Sequence, residues 1–212
     1  MACAICQTRR PRRFCPGVRG DICTLCCGTE REVTVDCPLD CEYLQEAHKH
    51  ERDSPLELAT LPNEDIRVTD GLLSDNEELL SCIGGALLEP ALENRSVVDF
   101  DAREALDALI RTYRTLQTGL YYETLPENPL AAGLCRAVRS AVEEFRKAET
   151  ERLGISKTRD SAVLGLLVFL QRVELDRNNG RRRGRAFLDA LRDLYASEAA
   201  RATPPGSSLI LP

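Results

Sequence analysis

Eight of the ten cysteines in this 212-residue chain fall before residue 42: Cys3, Cys6, Cys15, Cys23, Cys26, Cys27, Cys37 and Cys41. Thiols this crowded are joined as disulfides, bound to metal or poised for redox chemistry, and each option restricts the fold around them. Disulfide frameworks belong to exported chains in oxidising compartments. The opening residues, MACAICQTRRPRRF, carry charge but no apolar stretch of the kind a secretory signal uses. The longest apolar run, Ala162 to Leu170 broken only by Gly165, is about half of the roughly 20 residues needed to cross a bilayer. The expectation is a cytoplasmic protein without membrane contact, whose cysteines stay reduced.

The spacings point to metal. Cys3-Ala4-Ile5-Cys6 and Cys23-Thr24-Leu25-Cys26 are both C-x2-C, by which two thiolates of one tight turn reach the same ion. Two such turns complete one tetrahedral site. Cys15, Cys27, Cys37 and Cys41 remain, again the four that a closed structural zinc site requires. Neighbours in an extended segment point to opposite sides, so Cys26 and Cys27 belong to different ions, which to which being open. Pro38 favours a first helical turn, and a helix from there to His50 sets Cys37 and Cys41 on one face. His48 then lies seven residues past Cys41, roughly 10 Å along the axis, so His48 and His50 are surface or packing residues, not ligands. The expected cofactor is two zinc ions per chain.

The order of ligands, first site, second, first, second, resembles the cross-brace of MYND and HIT zinc fingers over Cys3 to about His50. The opening C-x2-C, the later C-x2-C and the terminal pair Cys37-x3-Cys41, in place of their His-x3-Cys, carry the resemblance. The middle departs: those families have a second C-x2-C pair, where this chain has a lone Cys15 and takes one thiolate from the Cys26-Cys27 doublet. The resemblance implies a protein-interaction module. The chemistry agrees, because a catalytic zinc keeps an open position and eight thiolates for two ions leave none. Redox C-x2-C motifs open a helix in a βαβ setting, which neither motif has.

Arg9, Arg10, Arg12 and Arg13, then Arg19 and Arg31, run between the ligands against Asp21 and Glu30. Two readings stay open: contact with phosphate or an acidic protein, or neutralisation of the anionic clusters by arginines donating to sulfur. A second patch, Arg177, Arg181, Arg182, Arg183 and Arg185, follows an Asn178-Asn179-Gly180 turn into the last helix. Positive charge at a helix start opposes the macrodipole and calls for an anion nearby. Glu149 and Glu151, the surface from Tyr121 to Glu127, or a partner are the candidates. The formal charge of −6 argues against a surface built wholly for polyanions.

The rest reads as helical, in the order 1–53 two-zinc module, 54–62 linker, 63–201 helical domain, 202–212 loose tail. Asn63 is a candidate cap. Asp75 to Leu88 turns Leu79, Leu80, Ile83 and Leu87 inward and ends by Pro90. Asp101 to Leu120 repeats Leu106, Leu109, Ile110, Tyr113, Leu116 and Leu120 at helical spacing. Asn128 and Pro129 open a helix that Gly154 stops. Ser161 to Asp176, apolar nearly all round, is the expected central helix, and Arg182 to Ala199 places Phe187, Leu191, Leu194 and Tyr195 inward. The fold class is therefore mainly α: a small cysteine-rich double-zinc module followed by a bundle of about five helices. Cys82 and Cys135 read as core residues, without an activating histidine in their own domain. The function expected is a non-enzymatic zinc protein whose finger contacts another protein from a helical scaffold. The alternative is a nucleic-acid or ribonucleoprotein binder using the arginines of 9–19 and 177–185.

Overall fold

The computed structural model describes residues 2–51, 61–120 and 122–202, with side chains to residue 195. A cysteine-rich N-terminal finger precedes a helical bundle, and the chain is mainly helical, as the sequence predicts. Residues 52–60 and 203–212, on which most of the expected linker and tail fall, lie outside the described residues.

The finger opens with an antiparallel hairpin, β1 (Arg13–Cys15) against β2 (Gly20–Ile22), in which Phe14 pairs with Asp21. A short helix, α1 (Thr24–Glu30), follows, capped by Cys23, whose sulfur accepts from the Cys26 amide at 3.5 Å. Cys26 and Cys27 are thus helical rather than extended, and their separation comes from the roughly 100° between successive helical positions. The second finger helix, α2 (Glu42–Glu51), begins four residues later than expected. Pro38 instead sits in a turn closed by the Cys41 amide on its carbonyl at 3.1 Å, because that bond ties Cys41 back before the helical ladder starts.

The bundle comprises α3 (Asp70–Asp75), α4 (Glu77–Glu93), α5 (Asp99–Gln117), α6 (Pro129–Leu153), α7 (Asp160–Arg177) and α8 (Ala186–Ala202). Helix α7 is central, packing on α5, α8, α3 and α4. Its consecutive Val163, Leu164, Gly165, Leu166, Leu167 and Val168 are all buried, which a helix needs when covered on several sides. Asn128 caps α6 by accepting from the Leu130 amide at 3.0 Å, Pro129 is its first residue, and Gly154 ends it at φ 78.

Several expected boundaries move. Helix α4 runs through Pro90 to Glu93, since a proline in the last turn removes only its own amide, and the turn closes by Asn94 N–H on the Pro90 carbonyl at 2.9 Å. Leu120 lies beyond α5 and is 68% exposed, after Gly119 turns the chain at φ 79. Asn63, at φ 57, is not a cap: it donates to Gln171 and accepts from Arg114, both at 2.7 Å. Helix α8 starts at Ala186, leaving Arg181 to Arg185 before it, and Leu194 is half exposed. What starts α8 is a carboxylate from another helix: Asp99, wholly buried, accepts from the amides of Phe187 at 3.0 Å and Leu188 at 3.2 Å. Buried side chains of finger and bundle form one contiguous cluster.

Candidate metal centre

The sulfurs of Cys3, Cys6, Cys23 and Cys26 lie within 4.8 Å of one another. A tetrahedral ion with bonds to sulfur of about 2.3 Å needs sulfurs roughly 3.8 Å apart, so one ion fits among these four. The hairpin brings the two C-x2-C turns together: the Ala4 amide donates to the Asp21 carbonyl at 2.8 Å, and the Cys23 amide donates to Cys3 Sγ at 3.2 Å. Burial opposes charge on Cys3, yet amides of Cys6, Cys23 and Ile5 outweigh it and hold its thiol below the usual range. The Thr8 hydroxyl and nearby amides bring Cys6 down to about 5. Cys26, desolvated and facing three other sulfurs, is pushed up to about 12. Four sulfurs this close ionise together only around a cation.

The other four cysteines are gathered more loosely. Cys37 is pushed up to about 12 by burial first, with the charges of Glu32, Cys15 and Cys41 adding to it. The sulfurs of Cys15, Cys27, Cys37 and Cys41 do not close to within 4.8 Å as a set. Cys27 accepts instead from Arg31 Nη2 at 4.0 Å.

The two arginine patches have opposite fates. Arg9, Arg10 and Arg12 are exposed, and Arg13 lies over the Tyr43 ring at 3.8 Å. Among the described residues, none of these four, nor Arg19, pairs with a carboxylate or donates to a cysteine sulfur, whereas Arg31 of the same patch donates to Cys27. Of the second patch, expected as a partner contact, three arginines are consumed inside the chain. Arg181 binds Glu51 at 2.7 Å, Arg183 binds Asp36 at 2.5 Å, and Arg185 is 1% exposed. Arg182 alone of Arg181, Arg182, Arg183 and Arg185 is exposed. The anions are therefore on the finger, not Glu149, which accepts from Ser156, Lys157 and Thr158, nor Glu123, which pairs with Arg139.

His48 is a packing residue of an unexpected kind. Only 2% exposed, its Nδ1 meets Asp189 at 2.7 Å and its Nε2 meets Glu32 at 3.0 Å, both carboxylates being buried. Burial works against its charge, but the hydrogen bonds to Asp189 and Glu32 prevail and raise it to about 9. It is therefore an imidazolium bridging α2, the Glu32 turn and α8. Glu32, His48 and Glu51 also have donor atoms within 4.8 Å of one another. The Asn179 amide donates to Glu32 at 2.8 Å and Glu51 at 3.2 Å, so an N–H joins those carboxylates. Sequence reasoning missed this network: His48 and Asp189 are 141 residues apart, and nothing periodic marks either.

No family model, curated protein or solved structure matches the chain. Fold and site together define a class: a mainly helical protein with an N-terminal cluster of four cysteines whose geometry is compatible with one metal ion. Among the described residues no helix is long and apolar enough to cross a membrane.

Proposed function

We propose that this chain is a non-enzymatic, cytoplasmic zinc protein in which a two-zinc finger, fixed to a helical scaffold, acts as an adaptor for another protein. The donor set of Cys3, Cys6, Cys23 and Cys26 supports zinc, since four thiolates in a closed tetrahedron suit that ion and leave no position for substrate. The second ion takes Cys15, Cys27, Cys37 and Cys41, with Cys27 turning from Arg31 to join its neighbours. Against catalysis, Cys82 and Cys135 donate to the carbonyls of Ala141 and Ala105, and burial raises both thiols.

The observation that carries the adaptor reading is the division of the arginines. Arg181, Arg183 and Arg185 clamp the finger to the bundle, while Arg9, Arg10, Arg12 and Arg13 stand on the outer side without carboxylate partners. The nucleic-acid alternative loses most of its second patch to these internal bonds. Affinity capture from cytosol, with and without nuclease treatment, tests the proposal, comparing wild type with Cys3→Ser plus Cys37→Ser. Proteins retained only by the intact finger support it; capture abolished by nuclease, or unchanged by the cysteine substitutions, contradicts it.

A further inference from the structure

The finger has only two aromatic residues, Phe14 and Tyr43, and both lie outside, 61% and 45% exposed. Its interior is filled by cysteines with Ile22, Val35, Leu39 and Leu44. Aromatic rings and arginines are the side chains that anchor protein interfaces, because rings remove much apolar area from water with few rotamers and the planar guanidinium meets carboxylates with a fixed fork. Here they are laid out in register. Along β1, Cys15 points inward and is buried, Phe14 points outward, and Arg12, two residues before Phe14, shares its side. Arg13, between them, is stacked over Tyr43, which joins the hairpin to α2.

We propose that this face, Phe14 and Arg12 with the exposed Arg10 that precedes them, is the docking surface for an acidic segment of a partner protein that carries an apolar side chain among its carboxylates. The inference rests on the adaptor reading above and names its partner's chemistry. The arginines supply the charge complementarity: none pairs with a carboxylate of its own chain among the described residues, in contrast to Arg181 and Arg183. Phe14 supplies an apolar contact that a purely acidic ligand would leave wet. The surroundings select a short acidic segment over a nucleic acid. Asp21, the exposed cross-strand partner of Phe14, stands on the same side, so the positive face is small and bounded by a carboxylate. A nucleic-acid strand carries a phosphate every ~3.4 Å and runs past that edge, whereas a short segment stays within the ~8 Å over which charge is felt in physiological salt.

Fluorescence anisotropy on the full chain, as purified with its metal, tests this with three labelled probes of equal length. They are a glutamate peptide carrying one Phe and one Leu, a peptide of glutamate alone, and single-stranded oligo-dT. The Phe/Leu peptide is expected to bind at least about tenfold tighter than either other probe. Arg10→Glu plus Arg12→Glu weakens it about tenfold or more, while Phe14→Ser weakens it but leaves the all-glutamate peptide unchanged. Metal content and circular dichroism of the variants confirm that the finger remains folded. Tightest binding of oligo-dT, equal binding of the two peptides, no saturable binding, or indifference to both variants overturns the proposal. The adaptor reading fails separately, in the capture experiment: partners that need the cysteines but ignore Arg12 and Phe14 leave it standing and remove only this surface.

Discussion

Arg185 donates through Nη1 to the main-chain carbonyl oxygen of Cys37 at 3.3 Å, so a finger cysteine and the residue preceding α8 are joined in the protein interior. The same guanidinium donates through Nη2 to the carbonyl of Ala91 in α4, and the Arg185 amide donates to Glu32 at 2.7 Å. One side chain thus ties together the finger, α4 and the entry to α8.

Replacing Arg185 with Met removes those donors while keeping most of the apolar stem. Carbonyls of Cys37 and Ala91 are then buried without partners, and Glu32 loses a nearby positive charge. The expected loss is on the order of 3 kcal/mol in a urea titration. An unchanged midpoint would show that the clamp is incidental to stability.

The imidazolium of His48 makes stability depend on pH in a definite direction. Its pKa is raised from an ordinary 6.5 to about 9 in the folded chain, so the folded state holds the proton more tightly. The contribution is full below pH 6.5 and disappears as pH rises through 9, amounting to roughly 3 kcal/mol. Urea titrations across that window should show this decline for wild type and a flatter curve for His48→Gln. Stability rising with pH in wild type relative to the variant would contradict the assignment.

Gly84 lies on the face of α4 that meets α8. A Cβ there would stand 2.1 Å from Tyr195 Oη, and that hydroxyl is bonded to the Ser81 carbonyl. Gly84→Ala gains about 1 kcal/mol of helix propensity but overpacks the contact, by about 1–3 kcal/mol, so the net expectation is a lower melting temperature. Adding Tyr195→Phe should recover part of the loss, because the nearest ring atom is 3.0 Å away. If Gly84→Ala alone raises the melting temperature, α4 and α8 are not in this contact.

Removing metal should act at a distance. The finger provides Glu32 to the Arg185 amide, Asp36 to Arg183 and the Leu39 carbonyl to Arg192. Chelation is expected to leave most helical circular dichroism in place at low temperature yet lower the thermal midpoint of the bundle. An unchanged midpoint after complete metal release would mean that finger and bundle are energetically independent.

What could be read from the sequence divides by the range of the cause. Asn128, Pro129 and Gly154 mark the ends of α6 because caps act within one turn. The apolar run of α7 announces a central helix for a similar local reason. Pro90 misleads because a breaker near a helix end is cheap when Ala91 beyond it is wholly buried. The C-x2-C spacing marked the members of the four-cysteine cluster, since it brings Cys3 to Cys6 and Cys23 to Cys26, and the hairpin then joins the two pairs. The anions facing Arg181, Arg183 and Arg185 were sought in nearby helices, but Glu51, Asp36 and Glu32 lie more than a hundred residues away in the chain. Pairing over that separation is decided by the packing of finger on bundle and leaves no local mark.

Both the finger and its hold on the bundle depend on thiolates engaged by zinc. Elemental analysis of the full chain purified under reducing conditions, paired with native mass spectrometry, measures this directly. Two zinc ions per chain are expected, falling to one when Cys3 and Cys6 become Ser and to one when Cys37 and Cys41 become Ser. A chain that carries no metal, or that shows disulfides among the eight N-terminal cysteines, would contradict it.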